Sequence, residues 1–175
     1  EVTNKEIIGL LGPNGAGKSS LIRVLSGEWI PNVGRVELND TPIGAWSNLH
    51  IAQTLAVMAQ QSSLNFAFSC EEVVMLGRTP HTSGHQTDID ITYQALACVD
   101  ATHLAQRLYT ELSGGEKQRV QLARILAQIW APSEYGPRYL LLDEPTASFD
   151  LAHQRMMLEI LRRFALDGVG ALVVL

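Results

Sequence analysis

No apolar run in this chain of 175 residues approaches the roughly 18 residues that a membrane-crossing helix needs, and the first residues carry no signal-peptide pattern. Any contact with a membrane would therefore pass through a partner. Cysteine is scarce: Cys70 and Cys98 fit no zinc or redox spacing and read as ordinary residues of a reduced, cytosolic protein. Positive charge is also in short supply, 13 Lys and Arg against 18 Asp and Glu for a net charge of −5, with a pI near 5.5. The basic footprint that goes with binding to nucleic-acid phosphates is missing. What is present is 46% hydrophobic and 18% charged residues, enough for one well-buried α/β domain or a core with a small appended subdomain.

The stretch with the clearest chemistry is Gly12-Pro13-Asn14-Gly15-Ala16-Gly17-Lys18-Ser19, which reads G-x-x-x-x-G-K-S. The apolar run Ile7, Ile8, Leu10, Leu11 before it suits a fully buried parallel strand. Leu21, Ile22, Val24 and Leu25 after it recur at helical spacing. In that context the glycines let backbone N–H groups turn around phosphate oxygens, and the helix adds its partial positive N-terminus. Lys18 would reach the β- and γ-phosphates, and Ser19 would ligate Mg²⁺.

Further along, Gly34 leads into Arg35-Val36-Glu37-Leu38, an alternating run suited to a half-exposed strand, and Leu55–Met58 is a further strand that delivers Gln60 and Gln61 to its end. Ser69-x-x-Glu72 is a capping box opening a short helix with Gly77 as its stop. A second helix is expected from about Asp88 to Val99. His81 and His85 sit four apart in the intervening loop, but no third ligand accompanies them, and the metal reading is weak. His50 and His103 read as surface or packing residues.

Leu112-Ser113-Gly114-Gly115-Glu116 contains another capping box, Ser113-x-x-Glu116, ahead of a helix carrying Val120, Ala123, Leu126, Ala127 and Trp130. A cap alone leaves the two glycines unexplained, since each costs a helix about 1 kcal/mol relative to alanine. Something must approach the backbone there closely, and a bare helix N-terminus suits a phosphate. Tyr139–Leu142 then reads as a buried strand ending in Asp143 and Glu144, the first placed to hold Mg²⁺ and the second to polarise an attacking water. Met156, Leu158, Ile160, Leu161 and Phe164 mark a last helix, which leads to an apolar strand at Ala171–Leu175. A strand ending on the last residue points to a fragment.

Taken in order, the P-loop, a glutamine about forty residues on, L-S-G-G-E and hydrophobic-D-E-P resemble the nucleotide-binding domain of ABC transporters. The resemblance spans essentially the whole chain. It implies that Gly12, Pro13, Asn14, Gly15, Ala16, Gly17, Lys18, Ser19 and Ser20 bind ATP, and that Ser19, Gln60 and Asp143 serve Mg²⁺. Gln60, with Gln61 as the alternative, would also sense the transmembrane partner. Glu144 would be the general base, and Asp150 would lie at the dimer interface. Leu112, Ser113, Gly114, Gly115 and Glu116 would meet the nucleotide held by a second copy of the domain. The implied fold is an α/β P-loop core with a mainly parallel sheet, an incomplete antiparallel β portion near residues 35–58 and a helical subdomain at 63–115, the whole of 1–175 being a partial ABC ATPase domain.

Asn65-Phe66-Ala67-Phe68-Ser69, Gly77-Arg78-Thr79-Pro80-His81, the run from Gln106 to Arg124 and Asp150-Leu151-Ala152-His153-Gln154 are similar to the ATPases of hemin importers, and more broadly to those of iron-siderophore and cobalamin importers. The resemblance implies a homodimer at the cytoplasmic face of a bacterial inner membrane, docked to a permease. It would hydrolyse ATP to import heme delivered by a periplasmic heme-binding protein. Nucleic acid is not an expected partner. The family's adenine-stacking aromatic and its histidine after the last strand have no position here, which implies weak hydrolysis by these residues alone. Ala147-Ser148-Phe149-Asp150 departs from the more usual S-A-L-D, and Ala59 replaces a frequent proline. A soluble ABC ATPase of DNA repair or translation would bring coiled coils or tandem domains. A small-molecule kinase would not explain Leu112–Glu116.

Overall fold

The computed structural model describes residues 1–59 and 66–175. Its centre is a four-stranded parallel sheet built from β1 (Ile7–Leu10), β4 (Leu55–Met58), β5 (Arg138–Asp143) and β6 (Val169–Val174), in the order β1-β6-β5-β4. Two short strands, β2 (Glu37–Leu38) and β3 (Thr41–Pro42), pair antiparallel beside it. The helices are α1 (Lys18–Leu25), α2 (Asn48–Thr54), α3 (Cys70–Met75), α4 (His85–Cys98), α5 (Gly114–Gln128) and α6 (Leu151–Leu166).

Alternation along the strands sorts the core into two layers, as period-2 geometry requires. Leu140 and Leu142 of β5, with Ala171 and Val173 of β6, belong to one core cluster with residues of α5 and α6, onto which α3 and α4 pack in turn. Leu141, Leu172 and Val174 face the opposite way, onto Ile22 of α1 and Leu38 of β2. β5 and β6 lie inside the sheet and are almost wholly buried. By contrast β1, expected to be fully buried, is an edge strand with β6 as its one partner among the described residues, and Ile7 is 39% exposed.

Other expectations are corrected in the same way. The antiparallel portion is confined to β2 and β3, because β4 joins the parallel sheet, with Leu55 to Met58 registered against Tyr139 to Leu142. The unanticipated α2 leads into β4, capped by Ser47, whose Oγ accepts the His50 N–H. The helix expected from Asp88 begins at His85. Leu158 points outward at 52% exposure while Met157 takes the core position on α6.

Gly77 is not a left-handed helix stop. It lies in a 3₁₀ turn, Leu76–Arg78, that continues α3. A Cβ there would collide with the Arg124 carbonyl oxygen and come within 3.3 Å of the Gln128 nitrogen, so the residue is small because the backbone of α5 passes against it. The adjoining segment grips the C-terminus of α5: Arg78, 3% exposed, donates from Nη1 to the Ala127 carbonyl (2.6 Å) and pairs with Asp88 (2.9 Å). The Nε2 of His81 lies 2.6 Å from the Gln128 carbonyl. Those carbonyls have no intrahelical partner and carry the negative end of the helix dipole, which suits cationic and N–H donors. Gly77→Ala should therefore lower stability by about 3 kcal/mol, at the upper end of overpacking costs, since the obstructing atoms are backbone. A denaturant titration reads this as a lower midpoint.

Candidate functional site

Register defines the phosphate end of the sheet. Leu10 of β1 and Asp143 of β5 both pair with Val174 of β6, so the P-loop and the Asp143-Glu144 pair leave the sheet at one level with a single strand between them. At the usual strand spacing that is about 10 Å. Gly15 and Gly17 have positive φ, 80° and 89°, and Gly17 caps α1 with no side chain to cover the helix N-terminus. The Lys18 ammonium donates to the carbonyls of Gly12 (2.6 Å) and Pro13 (3.2 Å) of its own loop. Ser19 and Ser20 follow on the exposed first turn of α1. The arrangement can receive an anion, with N–H groups and one flexible cation converging on it.

Asp143 is 4% exposed, and its Oδ1 has no hydrogen-bond partner among the described residues. A buried carboxylate oxygen left without partners is costly, and hard oxygen donors suit Mg²⁺, so the site fits a divalent cation. Glu144 follows with φ 48°, a left-handed conformation that costs a non-glycine residue about 1–3 kcal/mol unless its surroundings enforce it. They do: its N–H donates to the Val174 carbonyl (3.1 Å), and its own carbonyl accepts from Gln118 Nε2 (3.1 Å) and the Ala147 N–H (3.3 Å). Gln60 and Gln61 lie outside the described residues.

At Leu112–Glu116 the capping box forms, with Ser113 Oγ accepting the Glu116 N–H and Glu116 Oε2 accepting both the N–H (2.8 Å) and the hydroxyl (2.6 Å) of Ser113. Leu112 is buried beneath it. The Ser113 hydroxyl, then its N–H, hold the Glu116 carboxyl below its ordinary pKa, and the Arg107 guanidinium at 3.2 Å adds to this. A cavity of about 260 Å³ beside the cap is lined by Ser113, Gly115, Glu116, Arg119, Ser148, Phe149, Asp150 and His153. The close approach anticipated at the two glycines comes partly from this chain: a Cβ on Gly115 would sit 3.0 Å from the Ser148 carbonyl, whereas one on Gly114 has ordinary room. Asp150 caps α6, and its Oδ1 accepts from the His153 N–H (2.8 Å), which lowers the carboxyl pKa together with the His153 ring at 2.7 Å.

The structure therefore brings together two groups of the predicted residues: the P-loop with Asp143 and Glu144, and Ser113–Glu116 with Asp150. Among the described residues no hydrogen bond joins the second group to the P-loop. Sequence reasoning attached no role to Gln118 or to the Arg107–Glu116 pair. The partners of Gln118 lie 26 and 30 residues away, and Arg107 reaches Glu116 across a connection that is not α-helical, so neither contact follows a regular spacing.

A phosphate loop on a parallel sheet, a buried aspartate followed by a half-buried glutamate one strand away and an inserted helical layer define a P-loop α/β protein. The family model described as ABC transporter matches residues 1–147, and the chain belongs to that family. It is 55% identical over 170 residues to the hemin import ATP-binding protein HmuV of Pseudomonas entomophila (strain L48), covering 97% of this chain and 66% of that protein. To the HmuV of Pseudomonas aeruginosa PAO1 it is 51% identical over 175 residues, covering 100% of this chain and 68% of the relative. The chain thus spans about two thirds of the length of these relatives. Among solved structures, an inward-facing ABC transporter of the metal-chelate type aligns with a TM-score of 0.76 at 31% identity, over 98% of this chain and 63% of that one. The ATP-binding subunit of another ABC transporter aligns at 0.83 and 21% identity, over 99% and 69%, a likeness of fold alone.

Replacing the cap tests the local geometry. Ser113→Ala should cost about 1 kcal/mol, and Ser113→Gly only a few tenths, measured by urea unfolding at neutral pH. Because the Glu116 pKa is depressed in the folded state, its part of the cap is present above the ordinary carboxylate range and is lost as pH falls through the lowered value. The alanine penalty should shrink accordingly in acid.

Proposed function

We propose that this chain is the ATP-binding and ATP-hydrolysing part of an ABC importer whose cargo is heme. One observation carries the ATPase reading: the registered sheet edge that sets the glycine-rich loop one strand from the buried Asp143 oxygen, which has no hydrogen-bond partner among the described residues. The identity of 50–55% to hemin import ATP-binding proteins supports the cargo. An iron-siderophore or cobalamin cargo is the alternative, supported by the likeness to a metal-chelate type transporter.

In this reading Gly12–Ser20 cradle the triphosphate, and Lys18 exchanges the Gly12 and Pro13 carbonyls for β- and γ-phosphate oxygens. Ser19 and Asp143, with Gln60, would hold Mg²⁺, which supplies neutralisation of phosphate charge. Glu144 orients the attacking water and takes its proton, from a backbone tethered to Val174, Gln118 and Ala147.

Ser113–Glu116 serve the nucleotide of a second copy, because the cavity at Ser113 is lined by Ser148–Asp150 and not by its own P-loop. Binding ATP between two copies makes dimerisation depend on nucleotide state by linkage. No helix among the described residues is long and apolar enough to cross a membrane. The protein would then work as a homodimer on permease subunits at the cytoplasmic face of the inner membrane, with cargo supplied by a periplasmic heme-binding protein.

Lys18→Ala should abolish nucleotide binding, read by fluorescent-ATP titration. Glu144→Gln should bind ATP as the parent does but lose at least about 10²-fold in turnover and accumulate as a nucleotide-bound dimer. In liposomes with the permease, heme-loaded binding protein should stimulate ATP hydrolysis. Stimulation by siderophore- or cobalamin-loaded protein instead would move the cargo to the alternative.

A further inference from the structure

We propose that Gln118 is a positioning residue that locks the Glu144 backbone to the first turns of α5, so that hydrolysis at one site depends on how Ser113 is engaged at the other. This rests on the reading of Glu144 as the base and of Ser113–Glu116 as the segment meeting a second nucleotide. Gln118 lies on α5, one turn beyond Gly114 and Gly115, and so shares their face. Its carboxamide uses both ends: Nε2 donates to the Glu144 carbonyl and Oε1 accepts the Ser148 N–H, each at 3.1 Å. It thereby spans the loop from Glu144 to Ser148 like a staple.

That loop touches α5 a second time, where Gly115 passes so close to the Ser148 carbonyl that a Cβ would lie 3.0 Å away. The first turns of α5 and the loop after β5 therefore move as one body. The consequence follows from the site on each side of the staple. Ser113 Oγ is engaged by its own Glu116 carboxylate at 2.6 Å, and a phosphate from another subunit must displace that bond. Any resulting shift of the helix start is passed through Gln118 to Glu144, whose left-handed backbone at φ 48° is bonded directly to that side chain through its carbonyl. A side chain with one donor and one acceptor in a single plane is required. Glutamate would keep the acceptor but set a carboxylate oxygen against the Glu144 carbonyl, and leucine would supply neither bond.

The test measures ATP dependence of hydrolysis for the parent, Gln118→Leu, Gln118→Glu and Glu144→Gln in the full chain assembled with its transporter. Hydrogen exchange at the Ser148 amide is followed alongside. Both Gln118 variants should bind fluorescent ATP within about twofold of the parent, lose tenfold or more in kcat and show a Hill coefficient falling toward one. Gln118→Leu should also expose the Ser148 amide. Unchanged kcat and cooperativity, or unchanged Ser148 protection, overturns the proposal, as does a loss confined to nucleotide affinity. Glu144→Gln keeps the two readings apart: if it hydrolyses like the parent, the assignment of the base fails and the role of Gln118 with it. If it is inactive while the Gln118 variants are not, the staple alone is removed.

Discussion

The pairing of Val174 with Leu10 on one side and Asp143 on the other is the constraint on which the phosphate end of the molecule depends. It is continued past the strand ends, where the Leu175 N–H donates to the Leu10 carbonyl and the Glu144 N–H to the Val174 carbonyl. A slip of one residue in β6 would turn Leu172 and Val174 from the α1 layer toward the core of α5 and α6, exchanging the two faces of a buried strand. Register and core burial therefore enforce the same alignment. The P-loop and the Asp143-Glu144 pair inherit their separation from it.

α5 is the second structural element that the site needs, and it is fastened at both ends by side chains. At its start the Ser113–Glu116 box engages the N–H groups of Ser113 and Glu116, and Gln118 ties the helix to the loop after β5. At its end Arg78 and His81 donate to, or lie against, the last carbonyls. There the Gln128 side chain also donates to the Ala52 and Leu55 carbonyls, joining α5 to α2 and β4. The two ends of α5 are thus bonded to the loop carrying Glu144 and to the strand β4.

Where sequence reasoning succeeded, the physics was local. Both capping boxes need only a serine and a glutamate three apart, and both formed, at Ser69–Glu72 and Ser113–Glu116. The glycine-rich loop and the apolar strands around it are likewise short-range signals. Where it failed, the cause was a contact from afar. Gly77 resembles a helix stop in sequence, but the backbone of α5 is what forbids a side chain there. The run at β1 has a buried strand's composition yet lies at an edge, and β4 resembled part of an antiparallel unit until β5 claimed it. Gln118 gave no signal at all, because its two partners lie 26 and 30 residues away.

By itself the amino-acid sequence determined the chemistry available to this protein: a loop able to bend around phosphate, a cation within it, two acids at a strand end and a glycine-softened helix start. These depend on residue type over a few positions, and backbone conformation over so short a span follows from sterics and capping. Only the tertiary structure decided which of these groups meet. Sheet order placed β6 between β1 and β5, packing brought the Ser148 carbonyl against Gly115, and a glutamine side chain joined the helix start to the strained Glu144 backbone. Such contacts are selected by the joint burial of distant segments, a quantity that no local pattern contains.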